Sequence, residues 1–366
     1  MDTSMQSQRW TGPITIVGKP SRKFCSLQFN ANSTLLGAAG NNGVHIWNIA
    51  ALRPLINTLD NHRSLGEMII WAKDDGAESR RAGEESKHPE IKMSARFIPI
   101  KSEGGSGHYA FSFSPNGEMC VSSFAAYESL NLRAPIGLWQ VSDATLRDTL
   151  RGHLNTVWRL AFNSDGSLLA SGDALGFLRI WSIPQLKELH LLKAVENPHR
   201  DRDQIKHVAF SRKGYVAATG DHSITIWNAR AGKKASTIRV EDCGFIYDVA
   251  FSPDGTLLAC QTGKKTLIWR VDTSWLSSLV GKFQPVLVCT IPEPGGPLGF
   301  SPDGKALALS GNNSIRIIRI PDGELLCTLT VGESVNEVAF SPDGTLLAVA
   351  TERSGDGSVL LWKSEQ

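Results

Sequence analysis

Three residues that could together perform acyl-transfer chemistry stand near the middle of the chain: His153, Ser171 and Asp173. A hydroxyl nucleophile, an imidazole base and a carboxylate to orient it are the parts of a nucleophilic triad. Their setting argues against that use. Ser171 lies inside an apolar run, Leu168-Leu-Ala-Ser-Gly172, and not on the sharp Gly-x-Ser-x-Gly turn that exposes a nucleophile. The Pro-Asp-Gly segments at 253–255, 302–304 and 342–344 invite comparison with phosphate or calcium loops. They lack both the Gly-Lys-Ser/Thr of a phosphate loop and the spaced carboxylates of a calcium loop, so they read as turns. The nine histidines are scattered, and none forms a metal-ligand pair at finger or helix spacing. No metal and no cofactor is expected. Six cysteines (25, 120, 243, 260, 289 and 327) fall mostly within or beside predicted strands, with no Cys-x-x-Cys among them. Buried small hydrophobes are the expected role.

The elements that must hold these residues come from one segment used again and again. Val249-Ala-Phe-Ser-Pro-Asp-Gly-Thr-Leu-Leu-Ala259 recurs letter for letter at 338–348. Looser copies stand at 160–170, 298–308, 208–217 and 110–117, and the most worn at 27–36. With the anchoring phenylalanine as ruler (29, 113, 162, 210, 251, 300 and 340), all steps but the first lie between 40 and 49 residues. In each copy two β-rich runs flank a turn, usually Asp-Gly or Asn-Gly, whose residues tolerate the positive φ of a tight hairpin. A third run usually ends in tryptophan, at 47, 139, 181, 227, 269 and 362, with Ile318 in that place in the sixth copy. A fourth run follows in most repeats. Four short antiparallel strands cannot bury both faces alone, so neighbours must stack, and radial stacking gives a propeller.

These repeats resemble the WD-repeat β-propeller family over roughly residues 14–366. The third copy carries the fullest signature: Gly152-His153, then Ser171, Asp173 and Trp181. No other copy has the Gly-His pair, and the strand tryptophan is followed by Asn, Gln, Ser, Arg or Lys instead of Asp. The resemblance implies that His153, Ser171, Asp173 and Trp181 form a buried hydrogen-bond network that ties loop to strands without catalysis. It also implies a scaffold for protein partners.

The expected fold is all-β: a seven-bladed propeller of four-stranded antiparallel sheets in a single domain over 13–366, after a loose tail at 1–12. Pro13–Val17 reads as a strand that completes the last blade, because that blade has only three strands before the chain stops four residues after Trp362. Closure of that kind removes exposed edges. The 84 residues between Phe29 and Phe113 break the period. An insertion at about 61–106 is expected to hold a hairpin, Met68–Trp71 against Phe97–Ile100, and a solvated loop from Ala77 to Glu90. The alternative is an eighth, degenerate blade over 61–105. Smaller excursions are expected at Phe124–Pro135, Asn197–Gln204 and Ser274–Pro285.

Thirty-eight basic and 36 acidic residues leave a net charge of +2, which gives no electrostatic argument for nucleic acid or a membrane surface. No signal-peptide core and no apolar run of membrane-spanning length is present, so a soluble protein of the cytoplasm or nucleus is expected.

Two classes of function remain: a non-catalytic scaffold binding a protein or peptide around the channel, and an enzyme or small-molecule binder using the channel mouth. The candidate rim lies three and four positions before each anchor. It comprises Trp158 and Arg159, Lys206 and His207, Tyr247 and Asp248, and Asn336 and Glu337. The other copies place Cys25 and Ser26, Tyr109 and Ala110, and Gly296 and Pro297 there. Trp, Tyr and Arg are frequent interface anchors, and the uneven charge would orient a charged peptide. The competing expectation is that these side chains satisfy one another across the channel.

Overall fold

The Phe-anchored segments turn the chain as their residue types require. The structure is a computed structural model that describes residues 9–17, 23–40, 43–54, 68–74, 91–99, 110–123, 134–194, 204–220, 222–241, 245–271, 284–292, 295–311, 313–353 and 356–365. In it, the turn glycines at 117, 166, 214, 255, 304 and 344 all take positive φ, between 69° and 81°. Ser33 adopts a φ of 58° in the first copy, where no glycine stands. The residue after the anchor holds the turn. Ser252 Oγ donates to Asp254 Oδ1 at 2.6 Å and accepts the Leu257 N–H at 2.9 Å, and Ser301 and Ser341 repeat the pattern.

Each such turn joins the first two strands of a four-stranded antiparallel blade. Blade 2 runs Phe111–Phe113, Met119–Ser123, Ile136–Gln140 and Leu146–Leu150. Blade 3 runs Val157–Phe162, Leu168–Asp173, Phe177–Ser182 and Lys187–Lys193. Blade 4 runs Val208–Phe210, Tyr215–Thr219, Ser223–Asn228 and Lys233–Arg239. Blade 5 runs Ile246–Phe251, Leu257–Thr262, Thr266–Arg270 and Val286–Ile291. Blade 6 runs Leu298–Phe300, Ala306–Gly311, Ser314–Arg319 and Leu325–Thr330.

Blades 1 and 7 complete the seven. Blade 1 is built from Phe24–Phe29, Leu35–Gly40 and Gly43–Asn48, and its fourth strand, Ile91–Pro99, arrives only after the long insertion. Blade 7 comprises Ser334–Phe340, Leu346–Arg353 and Asp356–Glu365, completed by Arg9–Val17. The amino-terminal strand therefore closes the ring, pairing antiparallel from Arg9 opposite Glu365 to Ile16 opposite Val359. It begins at Arg9, inside the stretch expected to be a loose tail. The register shifts between Thr11 and Ile14, where Pro13 has no N–H to give the ladder.

The insertion departs from expectation. Met68–Asp74 does not fold back as an antiparallel hairpin on residues 97–100. It pairs in parallel with Ile91–Pro99 on one side, Ile70 opposite Ile91, and in parallel with Arg9–Val17 on the other, Ile14 opposite Met68. One extra strand thus joins the outermost strands of blades 1 and 7 into a nine-stranded sheet, and no eighth blade forms. The Ala77–Glu90 loop and most of the smaller excursions lie outside the described residues.

The first strands of the seven blades touch in an unbroken cycle, so blade 7 returns to blade 1. Seven apolar clusters fill the seven gaps between neighbouring blades. Each of the six strand tryptophans is buried in one of them, and Ile318 takes that place between blades 5 and 6. Burying a large apolar side chain is worth roughly 1.5–3 kcal/mol, so these gaps hold the stability of the ring.

The gaps are close-packed, which sets a test. A Cβ added to Gly172 in blade 3 would lie 2.3 Å from Ile205 Cγ2, and Ile205 is itself fully buried ahead of blade 4. Gly172→Ala is expected to lower unfolding stability by about 1–3 kcal/mol through overpacking, read by denaturant titration.

Candidate functional site: the blade 3 network, the channel and its mouth

The triad-like residues meet, and they are sealed in. His153 precedes the first strand of blade 3, Ser171 lies on the second strand, and Asp173 ends it. His153 Nδ1 stands 2.8 Å from Asp173 Oδ2 and Nε2 stands 2.6 Å from Ser171 Oγ. Trp181 Nε1 also reaches Ser171 Oγ, at 2.8 Å. An indole N–H can only donate, so Ser171 Oγ accepts from Trp181 and gives its own proton to His153 Nε2. The imidazole must then carry its proton on Nδ1 and donate to Asp173. Asp173 Oδ1 meanwhile accepts the backbone N–H groups of Leu175 and Phe177. All four side chains are buried, so no substrate reaches the hydroxyl. Burial also holds the His153 imidazole below its ordinary value, keeping it neutral.

A second polar cluster lies on the axis of the ring. A cavity of about 430 Å³ runs along the first strands, with Arg159, His207, Asp248 and Glu337 in its lining. Arg159 of blade 3 donates to the Cys25 carbonyl of blade 1 at 2.8 Å. The same guanidinium forms an ion pair with Glu337 of blade 7, also at 2.8 Å. His207 of blade 4 meets Asp248 of blade 5 at 2.7 Å, and Asp248 Oδ2 accepts the Leu298 N–H of blade 6 at 3.0 Å. Blade 2 joins through its neighbour: Ser26 Oγ donates to the Phe111 carbonyl, and the Phe113 N–H donates to Gln28 Oε1.

Burial shapes this cluster's ionisation. It pushes Glu337 up to about 7, with Arg159 opposing the rise and Asp248 adding to it. Burial holds His207 below its ordinary value. Asp248 would also rise on burial, but His207 and Arg159 outweigh that and hold it down.

The eight rim candidates therefore divide into two sets. Arg159, His207, Asp248 and Glu337, three positions before their anchors, turn into the channel and bond one another. The residues one position earlier differ: Lys206 and Tyr247 are exposed, while Trp158 and Asn336 are half-buried. Counting back from the anchors missed Phe245, which is 41% exposed and carries Lys206 Nζ 5.6 Å from its ring centroid. It also missed Gln28. A sequence signal for the channel set did exist: one position held one cation, one imidazole and two carboxylates, a set able to neutralise itself. Among the described residues no group of His, Cys, Asp and Glu is arranged to hold a metal ion, and no helix is long and apolar enough to cross a membrane.

Comparison with known proteins bears on this geometry. The family model described as "WD domain, G-beta repeat" matches residues 144–182, 232–270 and 323–363. Each match spans the fourth strand of one blade and the first three strands of the next. The chain is a seven-bladed β-propeller that carries WD repeats. Similar proteins include THO complex subunit 3 of Arabidopsis thaliana, 35% identical over 115 residues, which are 30% of this chain and 34% of that one. WD repeat-containing protein SL1-17 of Schistosoma mansoni is 29% identical over 192 residues, 51% of this chain and 58% of the other. Periodic tryptophan protein 2 homolog of Schizosaccharomyces pombe is 34% identical over 127 residues, 34% of this chain and 13% of its own length. The WD-repeat propeller thus spans between 13% and 58% of these relatives. The solved β-propeller domain of Myceliophteria thermophila Cps50 (Swd1) superposes with a TM-score of 0.70 at 15% identity, covering 96% of this chain and 99% of that one. That likeness is one of fold.

The blade 3 network makes a pH prediction. Unfolded, His153 takes up a proton near its ordinary value of about 6.5; folded, it resists doing so. Unfolding then consumes a proton below that pH, and stability falls as pH drops. His153→Asn is expected to cost about 1–3 kcal/mol at pH 8. The gap between wild type and variant should narrow below pH 6.5 by up to about 1.4 kcal/mol per pH unit, measured by denaturant titration across pH 5–8.

Proposed function

We propose that this WD-repeat propeller is a non-catalytic interaction scaffold that binds a protein or peptide partner on the face around its channel. What supports the reading is the fate of its reactive groups. The triad-like residues spend their hydrogen bonds on one another inside blade 3, out of reach of solvent. At the mouth, by contrast, Tyr247 is 45% exposed and Phe245 and Lys206 stand beside it, side chains of the kind that anchor interfaces. The names of two relatives, THO complex subunit 3 and small ribosomal subunit protein RACK1z of Arabidopsis thaliana, place them in assemblies. Trp158, Lys206 and Tyr247 are proposed as the contact rim, with Asn336 at its far side. Arg159, His207, Asp248 and Glu337 support the rim from within the channel.

A second reading has one specific observation in its favour. Four ionisable groups converge on a cavity large enough for a small molecule, and such convergence is a mark of active sites. Against it, each of the four is already paired with another member of the set. The nearby Cys25 thiol is pushed up by burial, away from the thiolate a nucleophile needs.

Affinity capture with the full chain as bait, read by mass spectrometry, separates the readings. Trp158→Ala and Tyr247→Ala are expected to lose a partner that wild type and Lys234→Ala, on the outer strand of blade 4, both retain, with unchanged melting. Retention of every partner by both variants moves the interface off this mouth.

A further inference from the structure

One sector of the mouth has more to it than exposed side chains. At the end of blade 6, between blades 5 and 7, lies a pocket of about 240 Å³ bounded by Tyr247 on one side. Its walls are the backbone at Gly263, Gly295 and Gly296 and the side chains of Ser310, Asn313 and Ser334. None of its lining residues carries a charge. The glycines are there for packing: a Cβ on Gly295 would lie 1.5 Å from Gln261 Nε2, and one on Gly296 would lie 2.7 Å from Ser310 Oγ. The result is a recess walled by glycine backbone and by uncharged polar residues, open to a partner that offers hydrogen bonds.

The approach to the recess is aromatic and basic. Alternation along the chain buries Ile246 and exposes Phe245 and Tyr247 on either side of it. The Phe245 carbonyl accepts the Gly263 N–H at 3.0 Å, which fixes the aromatic pair against the pocket wall. Lys206 lies over the Phe245 ring, and Lys264, directly after Gly263, is exposed. The acid next to the pocket, Glu333, is engaged by Thr351 Oγ1 at 2.8 Å. Lys206 and Lys264 thus stand on the blade 4 and blade 5 side of an uncharged recess with an aromatic sill, and the Glu333 carboxylate stands on the blade 7 side, held by Thr351.

We infer that this sector is a docking site for an acidic peptide segment of a partner protein. Carboxylates of the segment meet Lys206 and Lys264, an apolar or aromatic side chain lies on Phe245 and Tyr247, and a small uncharged residue enters the recess. The assignment rests on the scaffold reading and narrows it to one sector and one chemistry.

The test uses the full chain and a phage-displayed library of random dodecapeptides. Enriched peptides are resynthesised with a fluorescein label and titrated by fluorescence polarisation. They are expected to carry a net negative charge. Tyr247→Ala and Lys206→Glu are each expected to weaken them by about tenfold or more, with unchanged melting, whereas Lys234→Glu leaves them intact. Enrichment of basic or uncharged peptides overturns the inference. So does an affinity that neither variant changes; in that case peptides binding elsewhere leave the scaffold reading standing and only this site falls. A selection that yields no binder counts against both.

Discussion

The structure depends on one strand pairing, that of Arg9–Val17 with Asp356–Glu365. Seven sheets that each bury their faces against two neighbours are stable only as a complete cycle. In an open arc two blades would expose an apolar face and two strand edges. By supplying the fourth strand of blade 7, the amino-terminal segment brings Ile14 and Ile16 into the cluster that also holds Phe24 and Trp47 of blade 1. The extra strand Met68–Asp74 then joins the outer edges of the same two blades. The junction where the chain's two ends meet is therefore joined twice, once within a blade and once between blades.

The axis poses the opposite problem. Seven first strands converging on a channel bring their side chains together where water is scarce, and a lone buried charge there would be costly. The solution is mutual: Arg159 and Glu337 reach across the ring from blades 3 and 7, and His207 and Asp248 pair between blades 4 and 5. At the same mouth Lys206 and Tyr247, one position earlier, are exposed. The proposed contact rim draws on this division between a self-satisfied inner set and a presented outer set.

Much of this was legible in the residues, for identifiable reasons. The repeat spacing, the turn glycines and the strand tryptophans each report a local requirement, so they gave blade number and blade boundaries. Ile318 was visible as a substitution because its neighbours kept the frame. His153, Ser171, Asp173 and Trp181 met as the resemblance implied. The parallel strand at 68–74 was not legible, because parallel pairing between distant segments leaves no turn between them to read. The rim positions were read as one surface, whereas the structure turns one set into the channel and leaves the other at the mouth. Trp158, Tyr247 and Asn336 each stand at a register shift of the first strand, while Arg159, Asp248 and Glu337 resume the ladder, so neighbouring positions took different surroundings.

The most direct measurement of the account is the unfolding of the chain without residues 1–17, compared with the full chain, with a synthetic peptide of residues 9–17 added back. Ring closure by that strand predicts that the shortened chain loses its cooperative transition or associates through the open edge of Asp356–Glu365, and that the peptide restores a monomer with a single transition. A shortened chain that stays monomeric and unfolds at the same denaturant concentration as the full protein would contradict it.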